Sequence, residues 1–153
     1  MHELHDLWDH RDPHILITRV AAQDIDGLNH TNNAVYVKWC EQVAWSHSIA
    51  LGLDLAQYRA LDRAMAITRS EYDYLAASRE GDEVTVATWI TDWDGKLTMW
   101  RHFQVIRSAD RVILLRARMQ FACIELSSGR PRRLPRAFLE GYGPAVLDKN
   151  THR

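Results

Sequence analysis

Acid, amide and imidazole side chains cluster between two apolar stretches of the chain, in the segment DIDGLNHTNN at residues 24–33. Asp26 can attack a carbonyl carbon as a nucleophile, or it can activate water as a base. His30 can hold or release a proton near neutral pH. Asn32 and Asn33 stand where their short side chains can cap the first turn of a following helix. These residue types can together polarise a carbonyl group and deliver a nucleophile to it.

Each of these side chains also has an ordinary structural role. An Asp in such a turn usually accepts hydrogen bonds from the backbone of its own loop. A single His is more often a hydrogen-bonded structural residue than an acid or base. The two Asn side chains can serve as caps first and as substrate contacts second. The chemical interpretation therefore depends on the complete pattern and not on Asp26 alone.

The element that must position these groups is a long helix directly after them. Apolar residues recur there at the three- and four-residue spacing of a buried helix, while Lys38 and Glu41 contribute to a polar side. Thr31, Asn32 and Asn33 mark its start, and Gly52 marks its end. The first turn of such a helix presents free N–H groups and a partial positive charge to the loop. That end can hold a carboxylate or polarise a carbonyl oxygen.

The rest of the chain has the alternation of an antiparallel sheet with one buried side. The pair Asp94-Gly95 is typical of a hairpin turn. In the last strand, Ile113 is expected on the same inward face as Leu115 and Met119. One helix against a single antiparallel sheet predicts an α+β domain. The predicted strands cover residues 14–23, 63–75, 83–91, 97–107 and 113–123, with a short second helix from Asp54 to Leu61.

Composition excludes several classes of function. The chain has 153 residues and a formal net charge of −1, so it lacks the positive field that favours a nucleic-acid partner. Only two cysteines occur, Cys40 and Cys123, and both stand in apolar patterns that suit free thiols in a reducing compartment. No secretory signal or apolar run of ~20 residues is present, which predicts a cytoplasmic protein that does not enter a membrane. The His and Asp residues before position 15 match no closed ligand set, so we expect no metal site.

The loop and the start of the helix carry a family resemblance. Asp26, His30, Asn32, Asn33 and Tyr36, followed by a Trp and a Glu in the helix, resemble the D-x-x-G-H-x-N-N-x-x-Y signature of acyl-CoA thioesterases of the 4-hydroxybenzoyl-CoA thioesterase type, which have the hotdog fold. The order of elements is similar to that family from about Ile15 to Pro135. Asn29 stands where the family usually has Gly, and Asn tolerates the left-handed backbone that such a turn needs.

The resemblance implies a fold, a reaction and roles for named residues. It predicts a hotdog thioesterase domain at residues 14–140, an N-terminal arm at residues 1–13 and a C-terminal tail at residues 141–153. The substrate is expected to be an acyl-CoA with a short, medium or aromatic acyl group, and no cofactor is expected. The catalytic residues are expected to be Asp26, the Asn33 N–H as oxyanion donor, and His30; substrate contacts are expected from Asn29, Asn32, Tyr36, Glu41 and Arg69.

Two further expectations concern partners. The family forms homodimers, often paired into homotetramers, with each site shared between subunits, so Arg69 is expected to reach the site from the other subunit. Arg130, Arg132 and Arg133 follow the last strand and can meet the phosphates of CoA by bidentate hydrogen bonds, or they can form a solvated tail.

Other functions stay open at the level of the sequence. In related hotdog enzymes a carboxylate on the helix performs the chemistry, which makes Glu41 an alternative to Asp26, although an exposed Glu on a helix face is equally consistent with a solvated charge. A non-catalytic acyl-ligand-binding protein would use Asp26 only to shape the loop. A 3-hydroxyacyl-thioester dehydratase would need a second acid or base, for which His30 is the available group.

Overall fold

A computed structural model describes the backbone of residues 2–147 and the side chains of residues 4–147. Residues 148–153, which belong to the predicted C-terminal tail, lie outside the described residues. One long helix lies against a five-stranded antiparallel sheet, which confirms the predicted α+β class. The elements in chain order are β1 (His14–Arg19), α1 (Asn33–Ala50), α2 (Leu55–Leu61), β2 (Arg63–Tyr74), β3 (Glu83–Trp93), β4 (Thr98–Arg107), β5 (Val112–Glu125) and α3 (Arg136–Tyr142).

The strand order in the sheet is β1-β3-β4-β5-β2. Strand β2 follows α1 and α2 in the chain and lies at one edge of the sheet. Three short 3₁₀ helices complete the described chain, at His2–Leu7, Ala22–Asp24 and Gly143–Ala145. Among residues 2–147, no helix combines the length and the apolar character that crossing a membrane requires.

Helix α1 begins and ends where its capping residues predict. The Asn32 side chain accepts a hydrogen bond from the Ala34 N–H at 3.0 Å, which satisfies one of the free donors of the first turn. At the other end Gly52 has a φ of +84°, a left-handed conformation that glycine adopts without steric cost. Trp39, Cys40 and Val43 on the inward face are buried against the sheet. The cap and the buried face therefore give the first turn of the helix a defined position.

The predicted inward orientation of Ile113 in β5 is wrong. The pairing of β4 with β5 shifts register between Val105 and Ile106, so that β5 contains one extra residue at that point. A shift of one residue moves side chains to the opposite face of a sheet. Ile113 therefore packs on the outer face of the sheet, with Ile106, while Leu115 faces the helix.

The prediction of a single buried side is also wrong, because the N-terminal segment covers part of the outer face. Leu4 and Trp8 are buried against Trp89 of β3, and the Trp8 and Trp89 rings meet edge to face with centroids 6.0 Å apart. The Trp89 indole N–H donates to the Arg11 carbonyl at 2.8 Å. The boundaries of the arm at residue 13 and of the tail at residue 140 stay predictions; in the structure residue 140 lies within α3.

Asp9 fastens this segment to the sheet. Its carboxylate accepts hydrogen bonds from Arg116 Nε at 2.8 Å and His102 Nε2 at 2.9 Å. Burial would raise the pKa of Asp9, but these two donors outweigh burial and hold the pKa below its usual value. The contribution to stability is therefore present above the unfolded pKa and is lost as the pH falls through the lower folded pKa.

We expect Asp9→Asn to lower the free energy of unfolding by about 1–3 kcal/mol at neutral pH, because charge-assisted hydrogen bonds to two side chains are lost. Urea unfolding followed by Trp fluorescence measures the change. Asp6→Asn is the control, since Asp6 pairs with Arg111 on the exposed surface and should contribute little. Equal effects of the two substitutions would contradict the role assigned to Asp9.

Candidate active site

The loop before α1 is closed by the carboxylate of Asp26. Its Oδ1 accepts hydrogen bonds from the Leu28 N–H at 2.9 Å and the His30 N–H at 3.2 Å, and the Asp26 N–H donates to the His30 carbonyl at 2.8 Å. Within the described residues no hydrogen bond ends on Oδ2. Asn29 takes the left-handed conformation with a φ of +65°. Asp26 therefore braces its turn through one oxygen and leaves the other available.

A buried chain of hydroxyl groups anchors the loop to the segment before β3. Thr31 donates from its backbone to the Ser78 carbonyl at 2.8 Å, and its side chain shares a hydrogen bond with Ser78 Oγ at 2.7 Å. The Tyr36 hydroxyl shares a further bond with Ser78 Oγ at 2.7 Å. All three side chains are buried. Since buried hydroxyls with complete hydrogen bonding hold one geometry, this chain fixes the loop relative to α1.

Five of the eleven predicted site residues lie together. Asp26, His30, Asn32, Asn33 and Tyr36 line one cavity of about 440 Å³ at the N-terminal end of α1, which we call the loop site. The Asn33 N–H has no acceptor among the described residues, and it stands at the positive end of the helix. The arrangement can bind a carbonyl oxygen and present a carboxylate oxygen beside it. Its remaining lining residues are Leu28, Thr31 and the stretch 74–77 at the end of β2.

A second cavity of about 220 Å³ lies between α1 and the sheet, and we call it the inner cavity. Glu41, Trp45 and Ser48 line it from α1, at spacings that place them on one helix face. Glu41 and Trp45 are exposed, whereas Ser48 is buried, so the cavity runs inward from the surface. The wall is largely apolar and includes Met65, Ile67, Met99, Met119 and Phe121.

Arg101 of β4 stands at the buried end of the inner cavity, with 2% of its surface exposed. It contacts His47 Nδ1 at 2.9 Å and donates weakly to Thr88 Oγ1 at 3.4 Å and Ser48 Oγ at 3.5 Å. Burial lowers the pKa of Arg101 to about 10, so the guanidinium is still charged at neutral pH. None of the ion pairs among the described side chains includes Arg101.

Hydroxyl groups surround the same end of the cavity. Tyr142 shares hydrogen bonds with Ser48 Oγ at 2.8 Å and with the Tyr58 hydroxyl. Burial raises the pKa of Tyr58 above its usual value, so the phenol is neutral and supplies no counter-charge. The inner cavity therefore ends in one cation and three hydroxyl groups.

Sequence reasoning missed Arg101, although a signal was present. Met99, Phe103 and Val105 alternate along β4 and are buried in the core, and Arg101 occupies an inward position of the same series. A charged residue at a position that should be apolar indicates a buried polar site.

The predicted arginines line neither cavity. Arg69 lies exposed on the edge strand β2 and pairs with Glu71 at 3.1 Å. Arg132 pairs with Glu125 at 2.9 Å, while Arg130 and Arg133 are exposed after β5. Among the described side chains, no group of three or more His, Cys, Asp or Glu residues is arranged to hold a metal ion.

His47 makes the stability of this region depend on pH. Burial, followed by the charges of Arg101 and His14, lowers the pKa of His47 to about 3 from an ordinary value of 6.5; the His14 ring stacks on His47 with centroids 4.8 Å apart. The unfolded chain then binds a proton more readily than the folded chain between pH 6.5 and pH 3. Stability is therefore complete above pH 6.5 and falls as the pH decreases through that interval.

Between pH 6.5 and pH 5 we expect the protonation of His47 to lower the free energy of unfolding by about 1 kcal/mol. This value allows for the partial exposure of the side chain. Urea midpoints at a series of pH values measure the loss. His47→Asn keeps an acceptor for Arg101 but cannot titrate, so its pH dependence should be flatter. Identical slopes for the two proteins would show that His47 does not cause the effect.

Comparison with known proteins gives one family match. Residues 20–142 match the model of the thioesterase-like superfamily. Protein THEM6 of Danio rerio is 32% identical over 78 residues, which is 51% of this chain. The chain spans only 38% of the length of that curated relative.

Solved structures share the arrangement of helix and sheet. Slr0204, a 1,4-dihydroxy-2-naphthoyl-CoA thioesterase from Synechocystis, superposes with a TM-score of 0.77 at 19% identity, covering 91% of this chain and 98% of that one. SAV2348 from Staphylococcus aureus, solved in complex with CoA, superposes with a TM-score of 0.79 at 20% identity, covering 90% of this chain and 87% of that one. At these identities the likeness shows the fold.

Proposed function

Because this chain belongs to the thioesterase-like superfamily, we propose that it hydrolyses acyl-CoA thioesters to a free acid and CoA. The observation that carries the proposal is the cavity at the start of α1, where Asp26, His30 and Asn33 meet. A free helix N–H and an available carboxylate oxygen are the two groups that attack on a carbonyl requires. SAV2348, which has the same fold and was solved with CoA, supports the choice of thiol carrier.

In the proposed reaction the thioester oxygen accepts a hydrogen bond from the Asn33 N–H, at the positive end of α1. Asp26 Oδ2 then takes a proton from water while the oxygen of that water bonds to the carbonyl carbon. Alternatively, Oδ2 attacks that carbon itself, and water hydrolyses the resulting anhydride. In both routes the C–S bond breaks as the carbonyl re-forms, and the departing sulfur takes up a proton. His30 can donate that proton or orient the loop.

A second subunit is part of the proposal. Eight residues separate Asn33 from Glu41, or about 12 Å along α1, so a short acyl group at the loop site does not reach the inner cavity of its own subunit. Strand β2 is an edge strand and exposes Ile67 (43%) and Tyr74 (43%), and Leu75 (51%), which follows it, is exposed too. Unpaired, apolar edges favour pairing with another strand.

Antiparallel pairing of two β2 strands places the end of one beside the start of the other. The start of β2, at Met65 and Ile67, lines the inner cavity, and its end, at Tyr74, lines the loop site. We therefore propose a homodimer in which the thioester lies at one loop site and the acyl group enters the inner cavity of the partner subunit. Arg69 lies midway along β2 and would face the partner strand.

The remaining features of the proposal concern the contacts with CoA, the assembly of dimers and the location in the cell. Arg130 and Arg133, exposed after β5, are proposed to contact the CoA phosphates, for which guanidinium groups are suited. Pairing of two dimers into a tetramer and a cytoplasmic location complete the proposal.

The test is release of free thiol from a panel of acyl-CoA thioesters, followed with a thiol-reactive dye. Cys40 and Cys123 are buried and should not contribute to the signal. We expect the highest kcat/KM for short acyl groups, because the inner cavity is smaller than the ~300–1,000 Å³ of most ligand pockets. Saturable binding without thiol release would overturn the proposal in favour of a binding protein, and alkene formation with an intact thioester would favour a dehydratase.

A further inference from the structure

We propose that the inner cavity selects acyl groups that end in a carboxylate, with Arg101 as the residue that binds the distal carboxylate of a short dicarboxylic acyl thioester. This inference rests on the proposed function, because it assigns the substrate class of the same enzyme. It concerns a residue that lies apart from the loop site and is not needed to attack the thioester.

Within residues 4–147, no carboxylate matches the charge of Arg101. Its polar contacts are His47 Nδ1, Thr88 Oγ1 and Ser48 Oγ, all of which belong to neutral groups. No Asp or Glu among the described residues forms an ion pair with it. A buried cation without an anion is strongly unfavourable. A ligand carboxylate at this position would supply the missing charge.

The shape of the cavity fits such a ligand. Its walls carry the side chains of Met99, Met119 and Phe121, which suit a short methylene chain, whereas its buried end carries Arg101. The hydroxyls of Ser48 and Tyr142 stand beside the guanidinium and can donate to a second carboxylate oxygen. Carboxylates bind guanidinium groups through short, charge-assisted hydrogen bonds.

A phosphate of CoA is a poorer candidate for this position. Arg101 is buried where it lines a cavity of about 220 Å³ whose other walls are mainly apolar side chains. A nucleotide phosphate carries a bulky nucleoside and needs an open surface. A carboxylate at the end of a narrow chain can reach the buried Arg101 side chain.

The test compares glutaryl-CoA with valeryl-CoA, two acyl groups of equal chain length that differ in the terminal carboxylate. We measure kcat/KM by thiol release and, separately, binding by isothermal titration calorimetry on the parent protein and on Arg101→Met. The parent is expected to prefer glutaryl-CoA by on the order of 10- to 100-fold, which is the effect of a hydrogen-bonded charge pair. Arg101→Met should lose that preference and keep its affinity for valeryl-CoA.

Two further variants keep the test decisive. Arg118→Met removes an exposed arginine that lies over the Trp100 ring and should leave the preference unchanged. If Arg101→Met does not fold, Arg101→Lys retains the charge without the planar fork and is expected to show a reduced preference. Equal binding of both thioesters by the parent, or an unchanged preference in the Arg101 variants, would overturn the inference. Binding with the expected preference but without turnover would overturn the hydrolase proposal alone.

Discussion

Replacement of Asp26 by Asn is expected to lower kcat for thioester hydrolysis by about 10²- to 10⁴-fold, the usual contribution of a catalytic base. The amide oxygen of Asn can take the place of Oδ1 and accept the same hydrogen bonds from the Leu28 and His30 N–H groups. The amide nitrogen then takes the place of Oδ2, and it can neither attack a carbonyl nor accept a proton from water. The loop should therefore persist while the chemistry is lost.

Thiol release under single-turnover conditions measures this effect, and circular dichroism checks the fold. Asp24→Asn is the matched control, because Asp24 Oδ2 accepts a hydrogen bond from the Ala21 N–H in the same segment and does not line the loop site. Turnover that persists in Asp26→Asn would contradict the assignment. In that event Glu41→Gln would test the carboxylate at the mouth of the inner cavity.

Arg101→Met is expected to raise the free energy of unfolding by about 1–4 kcal/mol, because apolar replacements of buried charged groups often stabilise by this amount. Methionine has a similar length and extends the methionine wall of the inner cavity. Ser48 retains its hydrogen bond to Tyr142, and His47 is partly exposed, so neither is left buried without a partner. A residue kept at a cost in stability is expected where it serves a ligand.

Urea unfolding of the ligand-free proteins measures the change. Arg101→Lys is the control, since it keeps a buried charge and should not be stabilised. A lower free energy of unfolding in Arg101→Met would contradict the expectation and would mean that the contacts of Arg101 with His47 and Thr88 outweigh the burial of its charge.

The family and the hotdog fold were predictable because the informative residues are close together in sequence. The cap at Asn32, the apolar spacing of α1 and the turn at Asp94-Gly95 are local signals, and the structure confirms each. Ile113 was assigned to the wrong face because a bulge depends on how two strands pair. The packing of Trp8 on Trp89 joins residues far apart in the chain, and no local pattern specifies it.

The loop site was predictable for the same reason, since its polar residues lie within one short segment. The inner cavity was not, because Ser48, Tyr58, Arg101 and Tyr142 come from four separate elements and meet only through tertiary packing. A full sequence pattern indicated the residues that are proposed to act on the thioester bond. Arg101 is the residue proposed to select the substrate. Its one signal in the sequence is a charged residue at an inward position of β4.

The methionines that line the inner cavity have a consequence for how substrate range can change. Met65, Met99 and Met119 are unbranched and have three rotatable bonds each, so they can adjust to acyl groups of different outline without movement of the backbone. The wall is therefore tolerant of shape, while the fixed guanidinium at its end is selective for charge. A single exchange at Arg101 is therefore expected to change the acyl preference of this chain, with the adaptable wall absorbing the change in volume.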